Sequence, residues 1–370
     1  MPPLPKIAPS LAYVGFNLVK GLGPARLRRL LDQFGDVATA WAAPVGDLVA
    51  AGLDGKTMAN LLLTRQDYNP AAMAAQLAAL GAGLLTWDDT AYPERLRDID
   101  SSPPVLYVLG DLVPADSWAV GVVGTRQVTA YGREVTTRLA GDLARNRVTV
   151  VSGLARGVDT LAHQAALDAG GRTVAVLGSG VDQIYPPENQ ALARRIVAEG
   201  RGAVISDYPP GTRPDAINFP PRNRIISGLS LGVLIVEAGL RSGALITQRF
   251  ALEQGREVFA VPGNIFSAQS EGPNDLLKQG AKPVTRVDDI LEELQLGMVA
   301  DHVEAVLALP DDPTERTLLA WLRRDAEPQH IDAIARGSGL PVHTVSGTLT
   351  LMELKGMVRQ VGPLQYVPVR

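Results

Sequence analysis

Along the chain the spacing of apolar positions changes character several times. From about residue 10 to residue 76 apolar side chains recur at helical intervals, as in Leu27, Leu30 and Leu31 at i, i+3 and i+4, and no run alternates with period two. This predicts a small all-helical module over residues 1–80. Between Gly81 and Gly110 two short apolar runs, Leu84-Leu85-Thr86-Trp87 and Val105-Leu106-Tyr107-Val108-Leu109, are separated by Asp/Pro-rich punctuation and read as a lead-in to the next domain. From Ala119 onward come short runs rich in β-branched residues, at 119–123, 148–151, 173–177, 203–205, 232–236 and 257–261. Continuous runs of this kind are expected of parallel strands covered on both faces. Amphipathic stretches lie between them, with Val135, Leu139 and Leu143 at i, i+4 and i+8. The repeated βα unit predicts an α/β fold, a central, doubly wound, mostly parallel Rossmann-like sheet within residues 81–295.

Residues 296–312, ending in Leu309-Pro310-Asp311-Asp312-Pro313, read as a linker. Residues 313–370 then carry three helical stretches, from Thr314, from about Gln329 and from Val342 to Lys355, followed by two short strands near 357–359 and 365–367. Three helices and a hairpin predict a C-terminal winged helix. Its third helix presents His343, Thr344, Thr348 and Thr350 and no arginine, so docking on a protein suits it as well as reading DNA.

Composition narrows the chemistry. With 370 residues, two or three domains are expected. The absence of cysteine excludes a disulfide scaffold, a thiol nucleophile and any Cys-ligated metal site. Met1-Pro-Pro-Leu-Pro-Lys6 lacks the apolar stretch of a signal peptide, and no run of about 18 apolar residues is present, so a cytoplasmic protein without membrane insertion is expected. The net charge of −4 argues weakly against a polyanionic partner. Residues 111–295, however, hold 17 Arg against 2 Lys, and Arg is the residue suited to bidentate phosphate contacts and to stacking on rings. Surface salt bridges account for many such arginines, so only those at motif positions bear on function.

In a doubly wound sheet ligands bind beyond the carboxyl ends of the strands. The loops predicted there are Gly124-Thr125-Arg126, Ser152-Gly153-Leu154-Ala155-Arg156-Gly157-Val158-Asp159 and Gly178-Ser179-Gly180. Small residues allow close backbone approach, helix N-termini favour anions, and Arg126 adds a cation, which together suggest a phosphate cradle. Tight βα turns alone explain any one of these loops. The dinucleotide fingerprint fails in Gly178-Ser179-Gly180-Val181-Asp182-Gln183, and no loop opens into a P-loop Gly-Lys-Ser/Thr, so neither NAD nor ATP is expected, nor any other cofactor. His163, His302, His330 and His343 are too dispersed for a metal site; His163, four residues after Asp159, is read as structural rather than as a base.

The densest signal is Asn218-Phe219-Pro220-Pro221-Arg222-Asn223-Arg224-Ile225-Ile226-Ser227-Gly228. An aromatic beside guanidiniums is the composition that stacks a base and neutralises adjacent phosphates of single-stranded nucleic acid. One of Arg222 and Arg224 is expected instead to pair with a core carboxylate such as Glu237. Ser242-Gly243 opens a further helix at the strand ends. In the helical module, Gly21-Leu22-Gly23-Pro24-Ala25-Arg26 resembles the turn of helix-hairpin-helix proteins, so Gly21, Gly23 and Arg26 are candidates for duplex DNA. A tight interhelical turn that binds nothing fits equally well. Ala51-Gly52-Leu53-Asp54-Gly55-Lys56 reads as a degenerate second copy.

These motifs in this order resemble the DNA-processing protein A (DprA/Smf) family: Tyr92-Pro93, Pro103-Pro104-Val105-Leu106-Tyr107, Val123-Gly124-Thr125-Arg126, Ser152-Gly153 with Gly157-Val158-Asp159, Leu177-Gly178-Ser179-Gly180 with Tyr185-Pro186, Phe219-Pro220 with Arg222-Asn223-Arg224-Ile225-Ile226, Ser242-Gly243 with Leu245-Ile246-Thr247, and Val261-Pro262-Gly263. They span about 200 residues of the chain. The resemblance implies a protein that is not an enzyme. It would bind and shield single-stranded DNA, help to load the RecA recombinase in natural transformation, and form homodimers through the Rossmann-like domain. It also implies that Arg126 holds phosphate, that Gly124, Thr125, Ser152 and Gly153 offer donors, that Phe219 stacks a base and that Arg222, Asn223 and Arg224 frame the strand, with Arg156, Ser242 and Gly243 beside them. Relatives can carry a lysine shortly before the aromatic, where this chain has Ala216, so Arg213 is the candidate replacement.

An enzyme of a similar α/β type, a nucleotide phosphoribohydrolase of the lysine-decarboxylase-like group, is the alternative. Such enzymes are expected to place a carboxylate just after the Gly-rich turn to stabilise a developing ribosyl cation, and Ser242–Phe250 contains no Asp or Glu.

Overall fold

The computed structural model describes residues 7–296, 313–322, 328–354, 358–362 and 364–368. Residues 1–295 form one compact unit and residues 296–370 a second. The expected linker over 296–312 lies, apart from Leu296, outside the described residues.

Six helices open the first unit: α1 (Pro9–Leu18), α2 (Pro24–Phe34), α3 (Val37–Ala42), α4 (Val45–Ala50), α5 (Gly55–Asp67) and α6 (Pro70–Leu80). Their starts are written in the sequence. Asp36, Asp54 and Asn69 accept from backbone amides as N-caps of α3, α5 and α6, while prolines open α2 and α6. The core of this bundle includes Tyr13, Phe16, Leu27, Leu30 and Trp41. It continues into the sheet through Val105 and Tyr107, and the Tyr107 hydroxyl donates to Asn17 Oδ1 at 3.1 Å.

The two runs of the lead-in are strands β1 (Gly83–Thr86) and β2 (Val105–Gly110). They form an antiparallel edge on a nine-stranded sheet whose other members are β3 (Ala119–Val123), β4 (Thr149–Ser152), β5 (Thr173–Val176), β6 (Gly202–Ser206), β7 (Gly232–Ile235), β8 (Glu257–Ala260) and β9 (Lys282–Pro283). The strand order is β1-β2-β6-β5-β4-β3-β7-β8-β9, and every pairing from β6 to β9 is parallel. The six runs expected as parallel strands are β3 to β8. All residues of β3 to β7 are buried, which is why those segments read as unbroken apolar runs.

After α7 (Glu94–Arg97), the main helices are α8 (Ala130–Arg145), α9 (Val158–Asp168), α10 (Gln190–Ala198), α11 (Phe219–Leu229), α12 (Ala244–Glu253), α13 (Glu271–Lys278) and α14 (Asp288–Glu293). Helix α8 packs on α9, and α11 packs on α12. Strand β6 lies three strands away from β3, and the chain must return across the sheet before it can enter β7 beside β3. Helix α11 makes that return, packed on β3, β4 and β5, so its N-terminus comes to the carboxyl ends of the strands.

The second unit holds α15 (Pro313–Leu322), α16 (Ile331–Ser338), α17 (Val342–Leu354) and a three-stranded antiparallel sheet of β10 (Gln329–His330), β11 (Val358–Gly362) and β12 (Gln365–Pro368), ordered β10-β12-β11. This is a winged helix. Gln329-His330, expected at the start of a helix, forms the third strand, and the His330 ring caps α16 by accepting from the Asp332 amide. In α17 the side chains of His343 and Thr350 are exposed while Thr344 and Thr348 are half-buried.

His163 on α9 is fully buried, its Nδ1 within 2.7 Å of Thr173 Oγ1 and its Nε2 without a partner. Burial, with Arg222 nearby, pulls its pKa down to about 3. The native state therefore holds it neutral, and stability is full above the unfolded-state pKa and falls as pH drops below about 6.5. A His163→Gln variant, able to keep the Thr173 bond, is expected to lose about 2 kcal/mol less than the parent between pH 8 and pH 5. Urea denaturation at the two pH values measures this, and equal losses would contradict it.

Candidate functional site

The order β4-β3-β7 contains the point where the winding reverses, because the chain proceeds from β3 outward to one side and later returns to β7 on the other. The carboxyl ends of β3 and β7 leave a crevice there, the place where open α/β sheets bind ligands. A cleft of about 790 Å³ occupies it. Its walls include Thr125 and Arg126 after β3, Phe219 and Asn223 on α11, and Arg241 and Ser242 after β7.

The loop after β3 is pinned on both sides. Thr125 N–H donates to the Glu237 carbonyl at 2.6 Å, and the Thr125 carbonyl accepts from Val158 N–H at 3.2 Å. The buried Glu237 carboxylate accepts from the Thr129 hydroxyl at 2.5 Å and the Thr129 amide at 3.0 Å. Glu237 thus fastens the strand end of β7 to the segment between β3 and α8, and is not the partner of Arg222 or Arg224. Between these anchors Arg126 projects exposed into the cleft with no ion pair among the described residues.

Arg222 has a different role. It is 5% exposed, and its Nη1 donates to the carbonyls of Gly153, at 2.9 Å, and Val176. The Asp159 carboxylate beside it accepts from the Gly153 and Ala155 amides at 3.1 and 3.3 Å. Gly153 is wedged between the two charges: a Cβ there would lie 2.6 Å from Arg222 Nη2 and 2.9 Å from Asp159 Oδ2. Desolvation lowers Arg222 to about 10 and raises Asp159 to about 6, the raised value being held down by the attraction of Arg222 and by the amide bonds. The group expected to frame a strand is a buried brace joining β4, β5, α9 and α11.

Arg224 is also engaged. It pairs with Asp207 at 2.8 Å, both side chains 12% exposed, and donates to the carbonyls of Ser101 and Pro221. Neither arginine is a free phosphate ligand, because Arg222 satisfies buried carbonyls and Arg224 is held by Asp207 and two backbone carbonyls. The Ser152 hydroxyl donates to the Val122 carbonyl at 2.7 Å and the Gly153 amide to Asp159, so these two expected donors face inward. Asn223 donates to the Gly243 carbonyl at 3.3 Å, tying α11 to the start of α12.

Phe219 is half-buried at the start of α11, its ring 5.7 Å from that of Tyr185 with the planes 37° apart. Gly178 makes room for it: a Cβ there would sit 2.8 Å from the Phe219 ring. Tyr185 is 37% exposed, so the pair presents an aromatic surface at the cleft. A small recess beside it is formed with Gly153, Arg156 and Pro186. Arg156 is half-exposed and ion-paired with Glu188.

The structure therefore brings Gly124, Thr125, Arg126, Phe219, Arg222, Asn223, Ser242 and Gly243 to one cleft. Arg213 is exposed but outside its lining, whereas Ala216 is part of it. Among the lining residues that were not sequence candidates, Tyr185 and Arg241 carry chemistry suited to a nucleic acid. Arg241 is an exposed guanidinium with no ion pair among the described residues, and its position just before Ser242-Gly243 is the signal that marks it.

The helical hairpin is arranged otherwise. Gly21 takes φ 87° and the second copy repeats this at Gly52. Arg26 donates to the Gly21 carbonyl at 2.8 Å and to Thr57 Oγ1 at 2.5 Å, and pairs with Asp54 at 2.7 Å. The cation expected to meet duplex phosphate staples the first turn to the second through a half-exposed ion pair, and Gly21 and Gly23 lie exposed beside it.

Residues 83–295 match the family described as DNA recombination-mediator protein A, and residues 302–362 match the DprA winged helix domain. Protein Smf of Synechocystis is 34% identical over 391 residues, covering 96% of this chain and 97% of that protein. Protein Smf of Escherichia coli is 44% identical over 78% of this chain and 77% of its own length. Among solved structures, DNA processing protein A from Streptococcus pneumoniae superposes with a TM-score of 0.68 at 34% identity, over 78% of this chain and 99% of that one. The protein of the same name from Helicobacter pylori, whose structure is described in terms of its single-stranded DNA binding mode, gives 0.51 at 30% identity over 58% and 95%.

The division between engaged and free arginines is testable by stability. Arg224→Ala should cost about 3 kcal/mol, because it strands Asp207 in a mostly buried site, whereas Arg126→Ala should change stability by less than about 0.5 kcal/mol. Chemical denaturation of the two variants measures both; equal losses would contradict the division.

Proposed function

The chain belongs to the DNA recombination-mediator protein A family, and on that premise we propose that its cleft binds single-stranded DNA, as a protector of the strand and a mediator of its transfer to a recombinase. The observation that carries the proposal is the pairing of an aromatic surface, half-buried Phe219 with exposed Tyr185, and two exposed guanidiniums without ion pairs among the described residues, Arg126 and Arg241, in one cleft at the switch point. Bases unstacked from a duplex offer faces to the rings, and the phosphates between them meet the cations. Fixed base stacking is not available in a closed duplex, so the rings select single strands while the arginines supply sequence-independent affinity.

The net charge of −4 does not oppose this, since a local arginine-lined groove sets phosphate affinity. The N-terminus of α12, with Ser242 and Gly243, adds a favourable end for anions. Arg241, which lines the cleft, supplies a second free cation to it, whereas Arg213 is outside the lining. The protein acts by binding and not by catalysis in this reading: Asp159, the carboxylate of raised pKa in the cleft, holds the amides of Gly153 and Ala155 instead of facing a substrate. Handover of the strand to RecA, a homodimer through the Rossmann-like unit and action in the cytoplasm during transformation complete the proposal. Among the described residues no helix is long and apolar enough to cross a membrane.

Fluorescence anisotropy of a labelled oligothymidine tests the cleft. Phe219→Ala and Tyr185→Ala should each weaken binding by about 5- to 160-fold, in line with about 1–3 kcal/mol per stacked base, and Arg126→Ala should weaken it and flatten its salt dependence. Wild-type affinity in Phe219→Ala and Arg126→Ala would refute the assignment.

A further inference from the structure

A second cleft, of about 390 Å³, shares Arg126 with the first. It lies where α8 and α9 begin, and its lining includes Arg126, Arg133, Arg156, Thr160, Gln164 and Glu188. We propose that it is a phosphate track continuous with the main cleft, so that a bound strand passes from the Phe219 wall over Arg126 and lays its next phosphates between Arg133 and Arg156. This rests on the reading of the main cleft as a seat for single-stranded DNA.

Three observations support the track. Arg126 lines the main cleft, the small recess and the second cleft, and Arg156 lines the last two, so the guanidiniums form a continuous row rather than separate patches. Arg133, in the first turn of α8, is exposed and has no ion pair among the described residues. Among the described residues the second cleft is lined by no aromatic side chain, and beside the arginines its polar side chains are the amides of Gln127, Gln164 and Asn189, the Thr160 hydroxyl and the Glu188 carboxylate, so it offers no base a ring to stack on.

Glu188 is the one carboxylate in this lining among the described residues and is ion-paired with Arg156. Both side chains are about half exposed, so water screens the pair and a phosphate can displace the carboxylate. Glu188 is therefore a competitor for the strand: with it neutralised, Arg156 is free and a repulsive charge is gone.

The test compares labelled oligothymidines of about 6 and about 18 nucleotides on the full chain, at several salt concentrations. Arg133→Ala should weaken the long oligomer on the order of fivefold and reduce its salt slope by about 0.7, leaving the short one unchanged. Glu188→Gln should tighten the long oligomer severalfold, a gain that a misfolded variant cannot imitate. Long-strand affinity and salt slope equal to the parent in Arg133→Ala, or no gain in Glu188→Gln, would overturn the track. Phe219→Ala separates the two levels: if it weakens the short oligomer while Arg133→Ala behaves as the parent, the track alone fails, and if it binds both oligomers as the parent does, the reading of the main cleft fails with it.

Discussion

A guanidinium buried at the ends of two parallel strands is the constraint on which the cleft depends. Removing a charge of this size from water costs several kcal/mol unless hydrogen bonds and an opposite charge compensate. Arg222 obtains both, from the carbonyls of Gly153 and Val176 and from Asp159, and can do so only because position 153 has no side chain. Phe219 lies one helical turn before Arg222 on α11, so the brace that fixes Arg222 also fixes where the aromatic ring meets the cleft. The ring in turn needs Gly178 beneath it. A glycine wedge and a glycine seat thereby set the position of one aromatic residue.

The opposite wall follows the same logic. Glu237 is buried at the end of β7 and holds the segment after β3 through its carbonyl and its carboxylate. With Thr125 pinned between Glu237 and Val158, the only freedom left to Arg126 is that of its side chain. Such a loop presents a cation on a fixed backbone, and a ligand phosphate then orders only the side chain. The arginines of residues 111–295 divide by this criterion. Arg172, Arg222 and Arg224 hold the fold together, and Arg126, Arg133 and Arg241 face solvent without an ion pair among the described residues.

How far these features were legible in the sequence depended on the kind of interaction. The parallel sheet could be read because strands covered on both faces must be apolar throughout, as in Ala119–Val123 and Gly232–Ile235. The cleft loops could be read because glycines, hydroxyls and arginines cluster after strands. Which arginines are free could not, since it depends on pairing between distant segments: Arg224 with Asp207, Arg222 with Gly153, Arg26 with Asp54. Tyr185 escaped for a related reason, because its contact with Phe219 joins residues 34 positions apart across a loop that has no regular period. The third strand of the winged helix, two residues long at Gln329-His330, is too short for any hydrophobic pattern to announce it.

The central claim is that a base of single-stranded DNA stacks on the Phe219–Tyr185 surface. Photocrosslinking an oligothymidine that carries 5-iododeoxyuridine to the full chain, followed by mass spectrometry of the crosslinked peptides, tests it directly. The account predicts that the dominant adduct falls on Phe219 or Tyr185 and is competed by unlabelled single strand. An adduct confined to the winged helix or to the helical module, with none on these two rings, would contradict it.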